Sequence, residues 1–246
     1  MNLEICVLGP VEMWWDGRRV PLGTPKQLTL VAALVLAQGR PVPLGRLIER
    51  IWGSEPPRAA HSSLYTYVAR LRRLLRTHCP GLAVIARTAT SYALEVDPTR
   101  VDLHQARLVL AAARLATDNG RDADAVRLYR QALRLWQGEP LCGLRGSWAE
   151  RTQAGLRQER LTALSGWFGA ELRLGRHAEV LGELSAAVGE YPLDEVLAGL
   201  LMVSLHRSER HADALATFNR IRADLADQLG VDPGASLRRL HSQLLH

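Results

Sequence analysis

The sequence contains few aromatic residues, only three cysteines and no long uncharged apolar run. The scarcity of cysteine and the absence of such a run each exclude a class of protein. The three cysteines, Cys6, Cys79 and Cys142, stand far apart without a C-x-x-C pair, so neither a disulfide framework nor a metal site is expected. No apolar stretch reaches the roughly 18 residues of a membrane span. The start, MNLEICVLG, lacks the basic and apolar regions of a signal peptide. We therefore expect a cytoplasmic protein with no metal, no cofactor and no membrane partner.

Acidic residues are also missing, but only from one part of the chain. The formal net charge is +6, and residues 1–96 contain 12 Lys+Arg and 6 Asp+Glu, whereas residues 97–246 contain 19 of each. Between Pro56 and Leu94 there is no acid at all, although this window contains six arginines. A field of one sign on one small domain favours a polyanionic partner such as a nucleic acid.

The pattern of the first hundred residues predicts short strands, then three helices, then a β-hairpin. Alternating apolar residues from Leu3 to Val7 and the turn signal Asp16-Gly17 predict an N-terminal sheet. Helical spacing covers residues 25–38, residues 43–52 and a segment from about residue 59, and LAVIART and SYALEV predict two strands around a short tip. This order is typical of an α+β winged helix-turn-helix with an additional N-terminal sheet.

The segment DPTR (97–100) is the expected linker between a domain over residues 1–96 and a second domain over residues 101–246, because everything after it is predicted to be helical. In the second domain, GRHAEVLGEL and ERHADALATF begin at Gly175 and Glu209, 34 residues apart. This period predicts an all-α, tetratricopeptide-like repeat domain, which stacks its helices and presents a surface to other proteins. A helical bundle with a chance similarity to the repeat is the alternative.

The third predicted helix carries the strongest functional signal. Leu64, Val68, Leu71 and Leu75 follow helical spacing and mark its buried face. The opposite face has small residues near its start and guanidinium groups later, and no Glu is placed to pair with them. Such a helix fits the major groove, where arginine pairs with guanine, and the third position before a hairpin is that of a recognition helix. The outward face and its flanks comprise Ser62, Thr66, Arg70, Arg72, Arg73 and Arg76.

Several stretches of the chain resemble one protein family. LIERIWGSEPPRAAHSSLYTYVARLRRLLR resembles the DNA-binding half of the Streptomyces antibiotic regulatory protein family, whose winged helix is of the OmpR type. AVRLYRQALRLWQGEPL and LADQLGVDPGASLRRLH resemble the bacterial transcriptional activation domain of that family. The resemblance extends over essentially the whole chain and implies a transcription activator, typically of an antibiotic gene cluster. Such proteins bind direct repeats in double-stranded promoter DNA near the −35 region, two protomers side by side, and recruit RNA polymerase holoenzyme.

The resemblance also implies roles for individual residues. Arg70 corresponds to the base-reading arginine of OmpR-type recognition helices. Thr66 and Tyr65 correspond to positions that touch base edges or methyl groups, and Tyr67 and Arg72 to phosphate contacts. The candidate DNA-binding set is completed by Ser62, Ser63, Arg73, Arg76, Arg87 and Thr88.

The hairpin departs from the family pattern. Where the family has Thr-Arg and then Gly-Tyr, this chain has Arg87-Thr88 and Ser91-Tyr92. Because Ser91 stands in place of a glycine, a positive φ at that position is expected to be costly and to change the tip of the wing. Arg87 and Thr88 are candidates for a contact with the neighbouring minor groove or with the DNA backbone.

Signatures of catalysis are missing. No G-x-S-x-G elbow surrounds Ser62, and no G-x-x-x-x-G-K-[ST] loop is present, so no enzyme activity is expected and the chain resembles the small form of the family without a nucleotide-binding domain. Two alternatives to an activator stay open. One is a helical-repeat adaptor whose basic domain binds RNA or an acidic protein, and the other is a repressor with the same fold.

Overall fold

The computed structural model of the protein describes residues 2–245. The first three strands are β1 (Leu3–Cys6), β2 (Glu12–Trp15) and β3 (Arg18–Arg19). They form an antiparallel sheet in that order, and the alternating residues Leu3, Ile5 and Met13 are buried on one face of it. Asp16 and Gly17 have φ angles of 45° and 75° and form the predicted turn, because a tight hairpin loop requires this left-handed conformation.

The next elements form the winged helix-turn-helix that the sequence predicts. They are α1 (Pro25–Val35), β4 (Val42–Pro43), α2 (Leu44–Trp52), α3 (Ala60–His78), β5 (Ala83–Thr88) and β6 (Ser91–Val96). The second sheet has the order β4-β6-β5. The helix α1 ends before the predicted Gln38, because Gln38 and Gly39 have positive φ angles of 52° and 75° that a right-handed helix excludes.

The tip of the β5–β6 hairpin is a two-residue loop, Ala89 and Thr90, between the paired Thr88 and Ser91. A positive φ at Ser91, which the sequence makes costly, does not occur: Ser91 lies in β6, and the positive φ of 49° belongs to Ala89. A short loop of this kind needs a left-handed residue within the turn and not in the strand that follows it. The Thr90 carbonyl accepts a hydrogen bond from the Leu44 amide (2.8 Å), which fixes the tip to the start of α2.

The remainder of the described chain is helical, apart from connecting segments. A short 3₁₀ helix covers Pro98–Arg100. It is followed by α4 (Asp102–Asp118), α5 (Asp122–Leu133), α6 (Ser147–Arg173), α7 (Leu181–Glu190), α8 (Glu195–Arg207), α9 (His211–Leu229) and α10 (Ala235–Leu244). The helix α8 packs against both α7 and α9, and α10 packs against α8 and α9.

The 34-residue repeat corresponds to the helices α7 and α9. Leu184 on α7 and Phe218 on α9 occupy the same position of the repeat, and both are buried. Ala187 and Ile221, three residues further on, are buried as well. The sequence repeat therefore reflects a repeated packing position, which is how tetratricopeptide-like helices use their apolar residues.

The chain forms two compact units. One contains the residues up to 109 together with 131–160, and the other contains residues 110–130 together with those from 161 onward. The predicted linker at 97–100 lies inside the first unit. The first unit therefore combines the winged helix-turn-helix with parts of α4, α5 and α6.

Hydrogen bonds explain why the helical residues 131–160 belong with the N-terminal sheet. The Asp102 carboxylate, at the start of α4, accepts hydrogen bonds from the Val7 and Leu8 amides, both at 2.8 Å. In return, the Leu8 carbonyl accepts from the Gln137 amide (2.9 Å), and the Val7 carbonyl accepts from the Leu141 amide (3.0 Å). The amides and carbonyls of Val7 and Leu8, which follow β1, are thus all hydrogen-bonded to the start of α4 or to the loop between α5 and α6.

Two titratable groups are buried at this junction. Burial raises the pKa of Asp102 to about 6, and the three amides that bond to its carboxylate oppose the rise. Burial lowers the pKa of His104, whose Nε2 lies 2.8 Å from the Val35 carbonyl and donates its proton to it. Burial thus favours the neutral form of the His104 ring.

Candidate nucleic-acid interface

The helix α3 has the two faces that its sequence predicts. Leu64, Val68, Leu71 and Leu75 are buried, since α3 packs against α2 and β5 on this side. The opposite face is exposed along the length of the helix. Its exposed residues include Ser62, Thr66, Arg70, Arg73 and Arg76.

Among the described residues, the exposed arginines of α3 have no carboxylate partner. Within residues 2–245, no Asp or Glu oxygen lies within 4.0 Å of the guanidinium of Arg70, Arg73 or Arg76. A Cβ atom built on Gly23 would lie 3.4 Å from Cζ of Arg70, so this side chain extends over the loop that precedes α1. Three positive charges on one face thus remain available to an external anion.

Arg72 has a different environment from its neighbours. Its Nε and Nη2 donate hydrogen bonds to the Ile85 carbonyl at 3.0 and 2.8 Å, and its Cζ lies 5.5 Å from the centre of the Tyr92 ring. These contacts join α3 to both strands of the hairpin. Arg72 therefore positions the wing relative to the helix, and its predicted phosphate contact stays a prediction.

The tip of the wing reaches the exposed face of α3. Arg87 donates from Nε to the Ala89 carbonyl (3.2 Å), and its Cζ lies 5.9 Å from the centre of the Tyr65 ring. Tyr65 is 42% exposed, and Thr88 is exposed beside it. The structure thus brings together the predicted wing residues and a predicted base-contacting residue, which lie more than twenty positions apart in the sequence.

Two hydroxyl groups near the start of α3 donate to the helix backbone. The Ser62 hydroxyl donates to the Ala59 carbonyl and the Thr66 hydroxyl donates to the Ser62 carbonyl, both at 3.0 Å. With the protons directed into the helix, the oxygen lone pairs and the Thr66 methyl face solvent. Ser63 is half-buried and lies between the two faces.

A short aromatic and cationic stack lies beside α3. The ring of Tyr67 stacks on Trp52, with centroids 5.9 Å apart and an interplanar angle of 13°, and Nζ of Lys26 lies 5.5 Å from a Trp52 ring centroid. Sequence reasoning did not include Lys26 or Trp52 in the candidate site. Lys26 is the only lysine of the chain, and this is the one signal in the sequence that distinguishes it.

Residues 2–245 contain neither a metal-ligating cluster nor a membrane-spanning helix. No group of three or more His, Cys, Asp or Glu side chains within residues 2–245 is placed to hold a metal ion. No helix of that same region is both long and apolar enough to cross a membrane.

Comparison with known families matches both parts of the chain. Residues 101–245 match the bacterial transcriptional activator domain, and residues 17–91 match the C-terminal domain of transcriptional regulatory proteins. The chain is 40% identical over 244 residues to the regulatory protein AfsR of Streptomyces coelicolor, an alignment that covers 99% of this chain and 24% of AfsR. It is 33% identical over 250 residues to the regulatory protein DnrI of Streptomyces peucetius, covering 99% of this chain and 92% of DnrI.

A solved structure has the same fold. Mycobacterium tuberculosis EmbR, in complex with a low-affinity phosphopeptide, matches with a TM-score of 0.93 and 35% identity, covering 99% of this chain and 65% of the EmbR chain. The chain thus spans about a quarter of AfsR and slightly less than two thirds of EmbR. Because the activator-domain match covers more than half of the chain and DnrI is matched over nearly its whole length, the protein belongs to the Streptomyces antibiotic regulatory protein family.

Proposed function

We propose that the protein is a transcription activator that inserts α3 into the major groove of promoter DNA. The observation that supports this most directly is the exposed row of arginines on α3, for which residues 2–245 supply no carboxylate partner. In water these like charges repel one another, and duplex DNA supplies the counter-charge. The wing beside α3 adds a second contact surface, as in other winged helices.

The face of α3 has two regions suited to different contacts. Arg70 is exposed near the middle of the helix and reads a base edge, since a guanidinium fork matches the two acceptors of guanine. Thr66 and Tyr65, one turn earlier, touch base edges or the thymine methyl. Arg73 and Arg76 contact phosphates, which add affinity but no sequence information.

We further propose that two protomers bind side by side on direct repeats near the −35 region. The helical-repeat part of the chain then contacts RNA polymerase holoenzyme and promotes transcription, typically of an antibiotic gene cluster, in the cytoplasm. The two family matches, one to a DNA-binding domain and one to an activator domain, support this division of labour. No enzyme activity enters this proposal.

Binding to DNA is tested by footprinting across the promoters of the neighbouring genes, followed by titration of the protected duplex at increasing salt. We expect protection of a repeated site and a linear decrease of log affinity with log salt concentration. Equal affinity for the protected duplex, an unrelated duplex and RNA would instead favour the adaptor.

The direction of regulation needs a second measurement. In vitro transcription from the protected promoter is expected to rise when the protein is added with RNA polymerase holoenzyme. A fall in transcript yield would identify a repressor with the same fold. Unchanged yield in the presence of a full footprint would contradict recruitment of the polymerase.

A further inference from the structure

A second cationic site lies in the first unit, outside the DNA-binding face. A cavity of about 340 Å³ is bounded by the segment after α1, by β4, by the start of α2 and by α6. Its lining includes Arg40, Arg46, Arg50, Trp148 and Thr152. No residue of α3 or of the β5–β6 hairpin lines it. Its volume is within the range of small-molecule sites in proteins.

The three guanidinium groups of this cavity are poorly compensated. Arg46 pairs with Glu49 at 2.9 Å, but both side chains are largely exposed, so the pair contributes little. Arg40 donates from Nε to the Ala37 carbonyl, and Arg50 donates from Nη1 to the Ala33 carbonyl, both at 3.2 Å. In the described part of the chain neither Arg40 nor Arg50 has a carboxylate within 4.0 Å. Counting Glu49, the cavity has two positive charges in excess.

Arg50 is held in place on the wall of the cavity. Its Cζ lies 5.5 Å from the ring centroid of Trp148, on α6. Burial lowers the pKa of Arg50, and the neighbouring positive charge of Arg46 lowers it further. The charge of Arg46 thus acts on Arg50, and an anion bound in the cavity relieves this repulsion. A fixed guanidinium also loses less entropy when it binds an anion than a free side chain does.

We propose that this cavity binds a small molecule with a phosphate or diphosphate group. Two excess positive charges match the charge of a phosphate monoester or a diphosphate. Arginine forks bond two oxygens of such a group at once, which favours phosphate over a simple halide. The apolar floor, which includes Pro41 and the Trp148 ring, accommodates the organic part of the ligand.

A DNA phosphate is the competing occupant of this cavity. The site is concave and one wall is the α6 residues Trp148 and Thr152, which are outside the winged helix-turn-helix. A duplex bound along α3 uses a convex helix face and the wing, and none of those residues lines the cavity. The geometry therefore favours a free phosphate compound. The inference does not depend on DNA binding by α3.

The test titrates the full chain with inorganic pyrophosphate by isothermal calorimetry. The first variant is Arg40→Gln combined with Arg46→Gln, which removes two exposed guanidinium groups. The matched control is Arg220→Gln combined with Arg222→Gln, which removes the same charge from exposed positions on α9. We expect saturable one-to-one binding by the unmodified chain, weakened about tenfold or more in the cavity variant and less than about twofold in the control.

A second arm measures the affinity of the same variants for a non-specific duplex. We expect no difference between the cavity variant and the control, because the two have the same net charge. The proposal is overturned if the unmodified chain gives no saturable heat, if the cavity variant binds pyrophosphate like the unmodified chain, or if both variants weaken it equally. A loss of duplex affinity confined to the cavity variant would assign the site to the DNA backbone and would also overturn it.

Discussion

Arginine serves two purposes in two regions of this chain. In the second unit, several exposed arginines pair with acids, for example Arg173 with Asp122 at 2.8 Å and Arg210 with Asp213 at 2.7 Å. On α3, Arg70 and its neighbours have no such partner among the described residues. The residue type is the same, but the charges of the paired arginines are neutralised within the protein, whereas the clustered unpaired arginines of α3 leave a positive charge that an external anion can neutralise.

The comparison teaches that the positions of the acidic residues indicate an anion-binding surface better than the number of arginines does. The two parts of the sequence differ in acid content far more than in the type of basic residue. Arg72 is the intermediate case, since it lies on α3 but is bound to a backbone carbonyl of the wing. Substitutions at paired, unpaired and intermediate positions should therefore affect different measurements.

The largest effect is expected for Arg70→Ala. If Arg70 reads a base edge as proposed, loss of its guanidinium should decrease specific binding by roughly 1–3 kcal/mol and leave most non-specific binding intact. Arg210→Ala is the paired control, and its DNA affinity should match that of the unmodified chain. Titrations of the protected and unrelated duplexes measure both. An unchanged ratio of specific to non-specific affinity in Arg70→Ala would contradict a base-reading role.

Arg72→Ala should affect stability as well as binding. Removal of both hydrogen bonds to the Ile85 carbonyl and of the contact with Tyr92 is expected to decrease the free energy of unfolding by about 1–2 kcal/mol. Urea denaturation measures this change. Arg72→Lys retains the charge without the fork and should recover only part of the loss. If Arg72→Ala unfolds like the unmodified chain, the side chain does not position the wing.

Arg173→Ala should affect stability alone. The Asp122 carboxylate is only 16% exposed and loses its ion pair, for which we expect a decrease of about 0.5–1 kcal/mol in the free energy of unfolding. DNA affinity should change by less than about twofold. A loss of affinity comparable to that of Arg70→Ala would show that paired and unpaired arginines are not distinct classes.

The smallest effect is a pH dependence that arises at His104. Because burial lowers the pKa of this residue, the unfolded chain binds the proton more readily than the folded one. The contribution of His104 to the free energy of unfolding is therefore complete when the pH is above 6.5, the ordinary pKa of histidine. It is lost as the pH falls from 6.5 towards the lower pKa of the folded state. Between pH 7 and pH 6 the loss is less than about 1 kcal/mol.

The variant His104→Gln isolates that contribution. It retains a donor for the Val35 carbonyl but does not titrate, so urea denaturation at pH 7 and pH 6 should give a smaller change than in the unmodified chain. The raised pKa of Asp102 has the opposite effect, since it makes the folded state bind a proton more readily than the unfolded state and so favours stability at lower pH. This contribution is present in both proteins and does not affect the difference between them. An identical pH dependence in the two proteins would contradict a neutral, buried His104.

Most of the winged helix could be predicted from local pattern. The spacing of Leu64, Val68, Leu71 and Leu75 indicated which face of α3 is buried, because an amphipathic helix carries that information in its own sequence. The winged helix-turn-helix and the helical-repeat domain were confirmed by the structure and by the match to EmbR. The roles of the individual DNA-binding residues stay predictions.

The parts that were not predicted depend on contacts between distant segments. The strand β4 is two residues long and exists only through the pairing of Val42 with Tyr92 and Pro43 with Ser91. The bond from Arg72 to the Ile85 carbonyl depends on how α3 meets the hairpin, which helical spacing does not encode. The location of the positive φ at Ala89 was not predicted for the same reason, since strand pairing, and not residue type, decides where the loop begins.

The hydrogen bonds of the Asp102 carboxylate matter for chimeric proteins that combine the N-terminal part of one relative with the helical part of another. The obvious junction for such a chimera is near residue 100, between the two family matches. Such a cut separates the Val7 and Leu8 amides from the side chain that accepts their protons and from the Gln137 and Leu141 amides that donate in return. A hybrid therefore keeps these hydrogen bonds only if the donor of the helical half also supplies an acid at position 102 and a matching loop after α5.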